Sequence, residues 1–251
     1  MAEAAALKPR KGRKGKSGFG LPADIWNDIL GGDGVAPKPI VLFGEANFTF
    51  TIALASLRTN GSEGITATTY DSQLPTFDRA QATAETQCTP NGKKYKLSDE
   101  EIEDNIADVS GLPDFSDNWH TDVDATSIPD WLQVAGKVVW FQCPWTLISM
   151  GSTENLIRDF MQEMARKQDI GDILVIGIST HKVYIGRYNI ESMLGDGSGK
   201  SIINGYRYLG YDKNIIKNIL KHGYKHHSDA THDIHQVHND YSFDTSIQKR
   251  R

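Results

Sequence analysis

Short apolar runs without alternation recur along this chain, separated by stretches whose apolar positions return every three or four residues. Pro39–Phe43, Ile65–Tyr70, Lys137–Cys143 and Ile173–Ile178 are of the first kind and read as strands buried on both faces, the mark of a covered parallel sheet. A weaker strand is expected near His120–Val123. Helical spacing appears in Asn47–Thr59 (Phe48, Ile52, Ala55, with Asn47 as N-cap) and Ser152–Gln168 (Leu156, Phe160, Met164). It appears again in Gln73–Gln87, whose Pro75 fits a first turn, and in Asp212–Leu220. Ser98-Asp99-Glu100-Glu101 reads as a capping box opening a short acidic helix, and residues 88–97 as a loop. Strand and helix alternate, so the expected fold class is α/β: a doubly wound, mainly parallel sheet. Tyr224 to Phe243 forms a less regular closing segment, giving an antiparallel C-terminal edge.

The chain divides unevenly. Residues 1–20 are a basic arm expected to be disordered, with Lys8, Arg10, Lys11, Arg13, Lys14 and Lys16 against Glu3 alone up to position 16. Residues 21–38 hold a short helix, with Ile25, Trp26 and Ile29 on one face to dock on the body, and a Gly/Pro linker. Residues 39–248 form the α/β domain, and 249–251 a basic tail. At 251 residues, 39% of them hydrophobic, the chain can bury a substantial core. The net charge of −5 conceals a contrast between basic ends and an acidic body, with ten carboxylates and no Lys or Arg from Asp99 to Asp124. The arm suits RNA binding or nuclear import, whereas the body offers no broad phosphate-binding face. Two cysteines, Cys88 and Cys143, imply no disulfide framework. With no apolar run of roughly 18 residues and a polar start, no membrane span or signal peptide is expected. The expected location is intracellular: nucleus or nucleolus, with the cytoplasm as the alternative.

Chemistry concentrates at the ends of the expected strands. Gly44-Glu45-Ala46-Asn47-Phe48 turns from the first strand into the first helix, placing helical N–H groups where α/β proteins hold nucleotide-like ligands. Asp71, followed by Ser72, lies 27 positions beyond Gly44, at the end of the second strand, where a carboxylate can hold ribose hydroxyls. A helix cap at Asp71 and a solvated turn at Glu45 are the plain alternatives. Asp122-Val123-Asp124-Ala125-Thr126 follows the third strand; a carboxylate there suits an adenine amine or a helix cap equally. Gln142-Cys143-Pro144-Trp145 ends the fourth strand and is similar to the Asn-Pro-Pro-aromatic turn of amino- and ring-nitrogen methyltransferases. Gln142 would accept from the target nitrogen and Trp145 would stack on the base, so catalysis would rest on positioning. The alternative is a strand end whose Trp belongs to the core. Cys143 reads as packing. Six of eight histidines fall between His222 and His238, a spacing that matches no standard zinc site, so no metal is expected.

Taken together, these motifs resemble the Rossmann-like methyltransferase domain of the 25S rRNA uridine-N(3)-methyltransferase family. Its Gly-Glu-Gly-Asn/Asp-Phe-Ser-Phe-Ser is similar to Gly44-Glu45-Ala46-Asn47-Phe48-Thr49-Phe50-Thr51, and its Ser-Tyr-Asp-Ser to Thr69-Tyr70-Asp71-Ser72. Val123-Asp124-Ala125-Thr126 matches its Val-Asp-Ala-Thr, and Phe141-Gln142-Cys143-Pro144-Trp145 stands for its Phe-Asn-Phe-Pro-His. Asn155 with the helix after it, and Tyr184 to Ile190, continue the likeness, which spans roughly Pro39 to Phe243. The resemblance implies S-adenosylmethionine as cofactor, held by Gly44, Glu45, Ala46, Asn47 and Phe48, with Asp71 and Ser72 at the ribose and Asp124 and Ala125 at the adenine. It implies Gln142, Pro144 and Trp145 as the catalytic turn, a nucleobase ring nitrogen as methyl acceptor, and rRNA as substrate. Ala46, Gln142 and Trp145 depart from the family's pattern. A catalytically inactive descendant, acting as a ligand-binding, RNA-associated or structural protein, is the alternative. A nicotinamide-dependent oxidoreductase is a weaker one, since no G-x-G-x-x-G loop is present.

Overall fold

A computed structural model of the chain describes residues 23–32, 34–45, 48–70, 87–88, 94–95, 118–144, 150–179, 202–212, 214–224 and 243–250. Expectations that fall elsewhere lie outside the described residues: the arm 1–20, Ala46, Asn47, Asp71, Ser72, most of the helix 73–87, the capping box 98–101, Trp145, Tyr184 to Ile190, and the histidines from His226 to His238.

In chain order the elements are α1 (Ala23–Leu30), β1 (Ile40–Phe43), α2 (Thr49–Leu57), β2 (Ile65–Thr68), β3 (Gln87–Cys88), β4 (Lys94–Tyr95) and β5 (Trp119–His120). Then come β6 (Val138–Gln142), α3 (Met150–Lys167), β7 (Ile173–Ser179), β8 (Ile202–Ile203), β9 (Tyr206–Asp212), α4 (Asn214–Lys221) and β10 (Phe243–Arg250). Eight strands form one sheet in the order β5-β2-β1-β6-β7-β10-β9-β8. The first five pair in parallel; β10 runs antiparallel to both β7 and β9, and β8 antiparallel to β9. The doubly wound sheet with an antiparallel C-terminal edge is therefore present. The chain leaves β1 on one side for β2 and β5, then returns on the other side to β6 and β7. The switch point thus falls between β1 and β6, where open α/β sheets form a ligand crevice at the strands' carboxyl ends.

Strict alternation of faces sorts the apolar runs into two cores. Ile40, Leu42, Val138, Trp140, Ile173 and Val175 face α1, α2 and α4. Val41, Phe43, Val139, Phe141, Leu174 and Ile176 face α3 and the segment 123–134. Both sets are buried, which explains why these strands read as continuous apolar runs. Helix α1 docks as expected, with Ile25, Trp26 and Ile29 buried. Its Trp26 lies 6.5 Å from Trp140, and its indole N–H donates to Asp212 Oδ2 at 3.3 Å.

Arg58, just past α2 and 5% exposed, fastens α1 and its linker to the body. Its guanidinium donates to the carbonyl of Ile29 at 2.7 Å, to that of Lys38 at 3.1 Å and to that of Glu63 at 3.3 Å. Burial pulls its pKa down to about 10, against the opposing pull of Glu63, so it stays charged at neutral pH. Arg58→Met keeps the stem but leaves three carbonyls without this donor. It should cost about 3 kcal/mol in thermal or denaturant unfolding; a loss below about 0.5 kcal/mol would show that the clamp is dispensable.

Four local expectations change. Helix α2 starts at Thr49 instead of Asn47. Its cap position is Phe48, in the left-handed region at φ 55°, with no side-chain cap. The Phe48 ring is drawn into the core against Trp119, 6.3 Å away, and burial of that ring outweighs the Asn-cap preference. Gln87–Cys88 and Lys94–Tyr95 form an antiparallel pair where the end of a helix and a loop were expected. Asp212 closes β9 and caps α4, accepting from the N–H of Asn214 at 2.7 Å and of Ile215 at 3.3 Å. Lys249 and Arg250 belong to β10, paired with Arg207 and Tyr206, so the sheet continues into the expected tail 249–251. Main-chain pairing is indifferent to side-chain charge, and this strand lies between two others.

Candidate ligand site at the carboxyl ends of β1 and β6

Gly44 makes the turn that ends β1. Its φ is +75°, and a Cβ there would stand 2.7 Å from Cε2 of Phe141. Phe141 is held from beneath by Phe160, at 4.9 Å, and Phe43, at 6.4 Å. Both the backbone conformation and the ring therefore require glycine.

Glu45 turns inward and is 4% exposed. Its main-chain N–H donates to the Thr68 carbonyl at 3.0 Å, which ties the turn to the end of β2. Its carboxylate accepts from the N–H of Thr51, in the first turn of α2, at 3.4 Å. A carboxylate at a helix N-terminus is favourable, but the contacts with the Thr51 side chain and N–H offset only part of the burial. Burial accordingly pushes the Glu45 carboxyl up to about 7, with Thr51 pulling the other way.

Across the switch point, Gln142 ends β6. Trp140 Nε1–H donates to Gln142 Oε1 at 3.0 Å, and because indole is only a donor this fixes the amide's orientation. The Gln142 Nε2 group then faces the Cys143 sulfur at 3.1 Å. The amide lies flat over Gly177 of β7, where a Cβ would stand 2.2 Å from Oε1. Gln142 is thus braced on three sides. Cys143 has φ 53°, in the left-handed region although it precedes a proline, and its N–H donates to the Gly177 carbonyl at 3.0 Å. Burial pushes its thiol up to about 12, so it remains a neutral thiol at physiological pH. Pro144 is buried.

Tyr224, just past α4 and 6% exposed, completes the cluster. Its hydroxyl meets both Gln142 and Cys143, and its ring packs on Phe50 at 5.3 Å. Burial, with Cys143 and Glu45 nearby, holds its phenol well above 10. Sequence reasoning gave Tyr224 no role in the site. Eighty-one residues separate it from Cys143 (224 − 143), and only the packing of α4 against α2 brings it there.

The remaining expected residues follow the same edge of the sheet. The N–H of Val123 donates to the Thr69 carbonyl at 3.0 Å, which sets the 122–126 turn beside the end of β2. One oxygen of Asp124 accepts from both the N–H and the hydroxyl of Thr126, each at 2.7 Å, so this carboxylate caps its own turn. Ala125 is buried. From β5 to β6, then, the carboxyl ends carry Asp124, Thr69, Gly44 with Glu45, and Gln142 with Pro144 in one row. Asn155 is exposed on α3, and His222 is exposed past α4. Among the described residues no three His, Cys, Asp or Glu side chains converge as a metal site. No helix among them is long and apolar enough to cross a membrane.

No family model matches the sequence, nor does any curated protein. Solved structures with a related chain path include a protein from Clostridium thermocellum described as an rRNA methylase. It has TM-score 0.45 and 11% identity, over 90% of this chain and 92% of that one. A 16S rRNA (adenine(1408)-N(1))-methyltransferase from Catenulisporales acidiphilia aligns with TM-score 0.43 and 11% identity, over 92% and 93%. A 30S ribosomal A1408 methyltransferase from an uncultured bacterium aligns with TM-score 0.42 and 11% identity, over 91% and 92%. At these distances no residue's role passes from those proteins to this one.

Proposed function

We propose that this chain binds S-adenosylmethionine at the carboxyl ends of β1 and β6 and serves as a methyltransferase for a nucleobase ring nitrogen in RNA, with rRNA as the substrate class. The observation that carries this reading is the pairing, at the switch point, of a glycine-only turn with a buried carboxylate that has no described cation beside it. The fit to the cofactor is one of charge. The Gly44 turn brings Glu45 to the switch point, where its carboxylate offers a negative group to a ligand that carries ammonium and sulfonium charges. When bound, S-adenosylmethionine supplies an electrophilic methyl group.

In this reading Gly44, Glu45, Ala46, Asn47 and Phe48 border the methionine part. Asp71 and Ser72 would meet the ribose, and Asp124 and Ala125 the adenine. Trp145 would stack on the acceptor base beside Pro144. The basic arm, residues 1–16, supplies the RNA contact and suits a nuclear or nucleolar location. The motif order shared with the 25S rRNA uridine-N(3)-methyltransferases supports the choice of a ring nitrogen.

One observation favours a second reading, a descendant that keeps the cofactor and has lost turnover. The oxygen of Gln142 already accepts from Trp140, and its N–H groups face Cys143 and Tyr224. To meet a substrate nitrogen the amide would have to leave this brace, at a cost of one buried hydrogen bond, about 1–3 kcal/mol. The test has two arms. A thermal shift with S-adenosylmethionine or its demethylated product is expected, and no shift with either refutes the cofactor. Transfer of label from methyl-tritiated cofactor into RNA supports the methyltransferase, whereas binding without transfer supports the descendant.

A further inference from the structure

We propose that Glu45 is an internal receptor for the positive charge of the ligand, and that the ligand's cation settles beside this carboxylate as the carboxyl proton leaves for solvent. The proposal rests on the cofactor reading and adds that uptake is coupled to release of one proton. In balance, a neutral carboxyl group and a cationic ligand give an ion pair inside the protein and a proton in the buffer.

The geometry supports it from each side. Glu45 is 4% exposed, and its bond with the Thr51 N–H, at 3.4 Å, is long. Among the described residues, the groups that act on it are Thr51 from α2 and Tyr224 from the segment after α4, whose hydroxyl in turn meets Gln142 and Cys143 at the end of β6. None is a cation. The thiol, held up to about 12, and the phenol, held well above 10, are both neutral at physiological pH. Glu45 is thus the group in this cluster that changes charge near neutrality. Burial has already brought its carboxyl to about 7, so below that value the unliganded site holds a proton. A ligand cation supplies what the protein does not: a counter-charge within the low-dielectric interior. Such a site accepts an ammonium or sulfonium group and rejects an anion.

The experiment is calorimetric titration of the full chain with S-adenosylmethionine, with its demethylated product and with uncharged adenosine, in phosphate and ACES at pH 6 and in phosphate and Tris at pH 8.5. At pH 6 the heats should differ between the buffers by close to one proton released per S-adenosylmethionine bound, and at pH 8.5 by almost none. Affinity should rise about tenfold from pH 6 to pH 8.5, as a single group at about 7 requires. Adenosine should show neither effect. Release with the demethylated product as well assigns the ammonium group, and release with S-adenosylmethionine alone assigns the sulfonium; both uphold the proposal. Glu45→Gln, checked for folding by circular dichroism, should bind more weakly and lose the proton release, and any exchange that remains in it belongs to the ligand's own amine. Binding with equal heats in the two buffers at pH 6 overturns the proposal and leaves the cofactor reading standing. No binding of any of the three ligands overturns the cofactor reading itself.

Discussion

Gly44→Ala should lower the stability of the folded chain by about 3 kcal/mol, a fall in Tm of roughly 6–12 °C for a protein of this size. Two terms contribute. Holding an L-residue at φ +75° costs about 1 kcal/mol. A methyl group 2.7 Å from the Phe141 ring must also push that ring into Phe160 and Phe43, and overpacking of this kind costs about 1–3 kcal/mol. Gly61 separates the terms. Its φ is +64°, but a Cβ there meets nothing within 4 Å, so Gly61→Ala should lose only the backbone term. Thermal unfolding of the two variants in parallel is the measurement. Equal losses would show that the Phe141 ring yields freely and that the turn is glycine for its backbone alone. A large loss at Gly44 alone ties the turn to the core beneath it. The backbone at the crevice would then be rigid before any ligand arrives, which lowers the ordering cost of binding.

Glu45→Gln should make the protein more stable above pH 7 and flatten its response to pH. The sign follows from the protons bound. The carboxyl titrates near 4.5 in the unfolded chain and near 7 when folded, so between those values the folded state holds more protons than the unfolded state. Stability contributed by the neutral carboxyl is fully present below about pH 4.5 and is lost as pH rises through about 7. Across that window the loss amounts to about 3 kcal/mol, since each pKa unit corresponds to 1.36 kcal/mol. Glutamine keeps the size of the side chain and an acceptor for the Thr51 N–H, and it never ionises. Denaturant unfolding at pH 5, 6, 7 and 8 should show wild-type stability falling along this series while the variant stays nearly level. Parallel profiles would mean that Glu45 titrates as an ordinary exposed carboxylate. A stabilised variant that binds ligand less well would mark Glu45 as a residue kept for binding at the expense of the fold.

Much of the frame was legible because it is written in local periodicity. Buried on both faces, Ile40–Phe43, Val138–Gln142 and Ile173–Ile178 carry no alternation to hide them, and strands at these places with helices between them admit few arrangements. The amphipathic face of α1 was readable for the same reason, since Ile25, Trp26 and Ile29 share one side of a short helix. Gly44 was readable as a turn because a single glycine stands between a strand run and a helical run. The strands of the C-terminal edge were less legible. Tyr206–Asp212 and Phe243–Arg250 mix apolar, polar and charged residues, and their strand character comes from partners far along the chain.

At the site, local pattern was enough to put a glycine and a glutamate just after β1, and a glutamine, a cysteine and a proline at the end of β6. What each of them touches came from the packing of distant elements. It turned Glu45 inward beneath α2, laid the Gln142 amide over Gly177 with its oxygen given to Trp140, and brought Tyr224 to Cys143 from the far side of α4. The physical reason is the range of the interactions. Strand and helix patterns are set by neighbours two to four residues away and leave a local trace. The charge state of a buried carboxyl and the partners of an amide depend on groups tens of residues distant, which no short window of sequence contains.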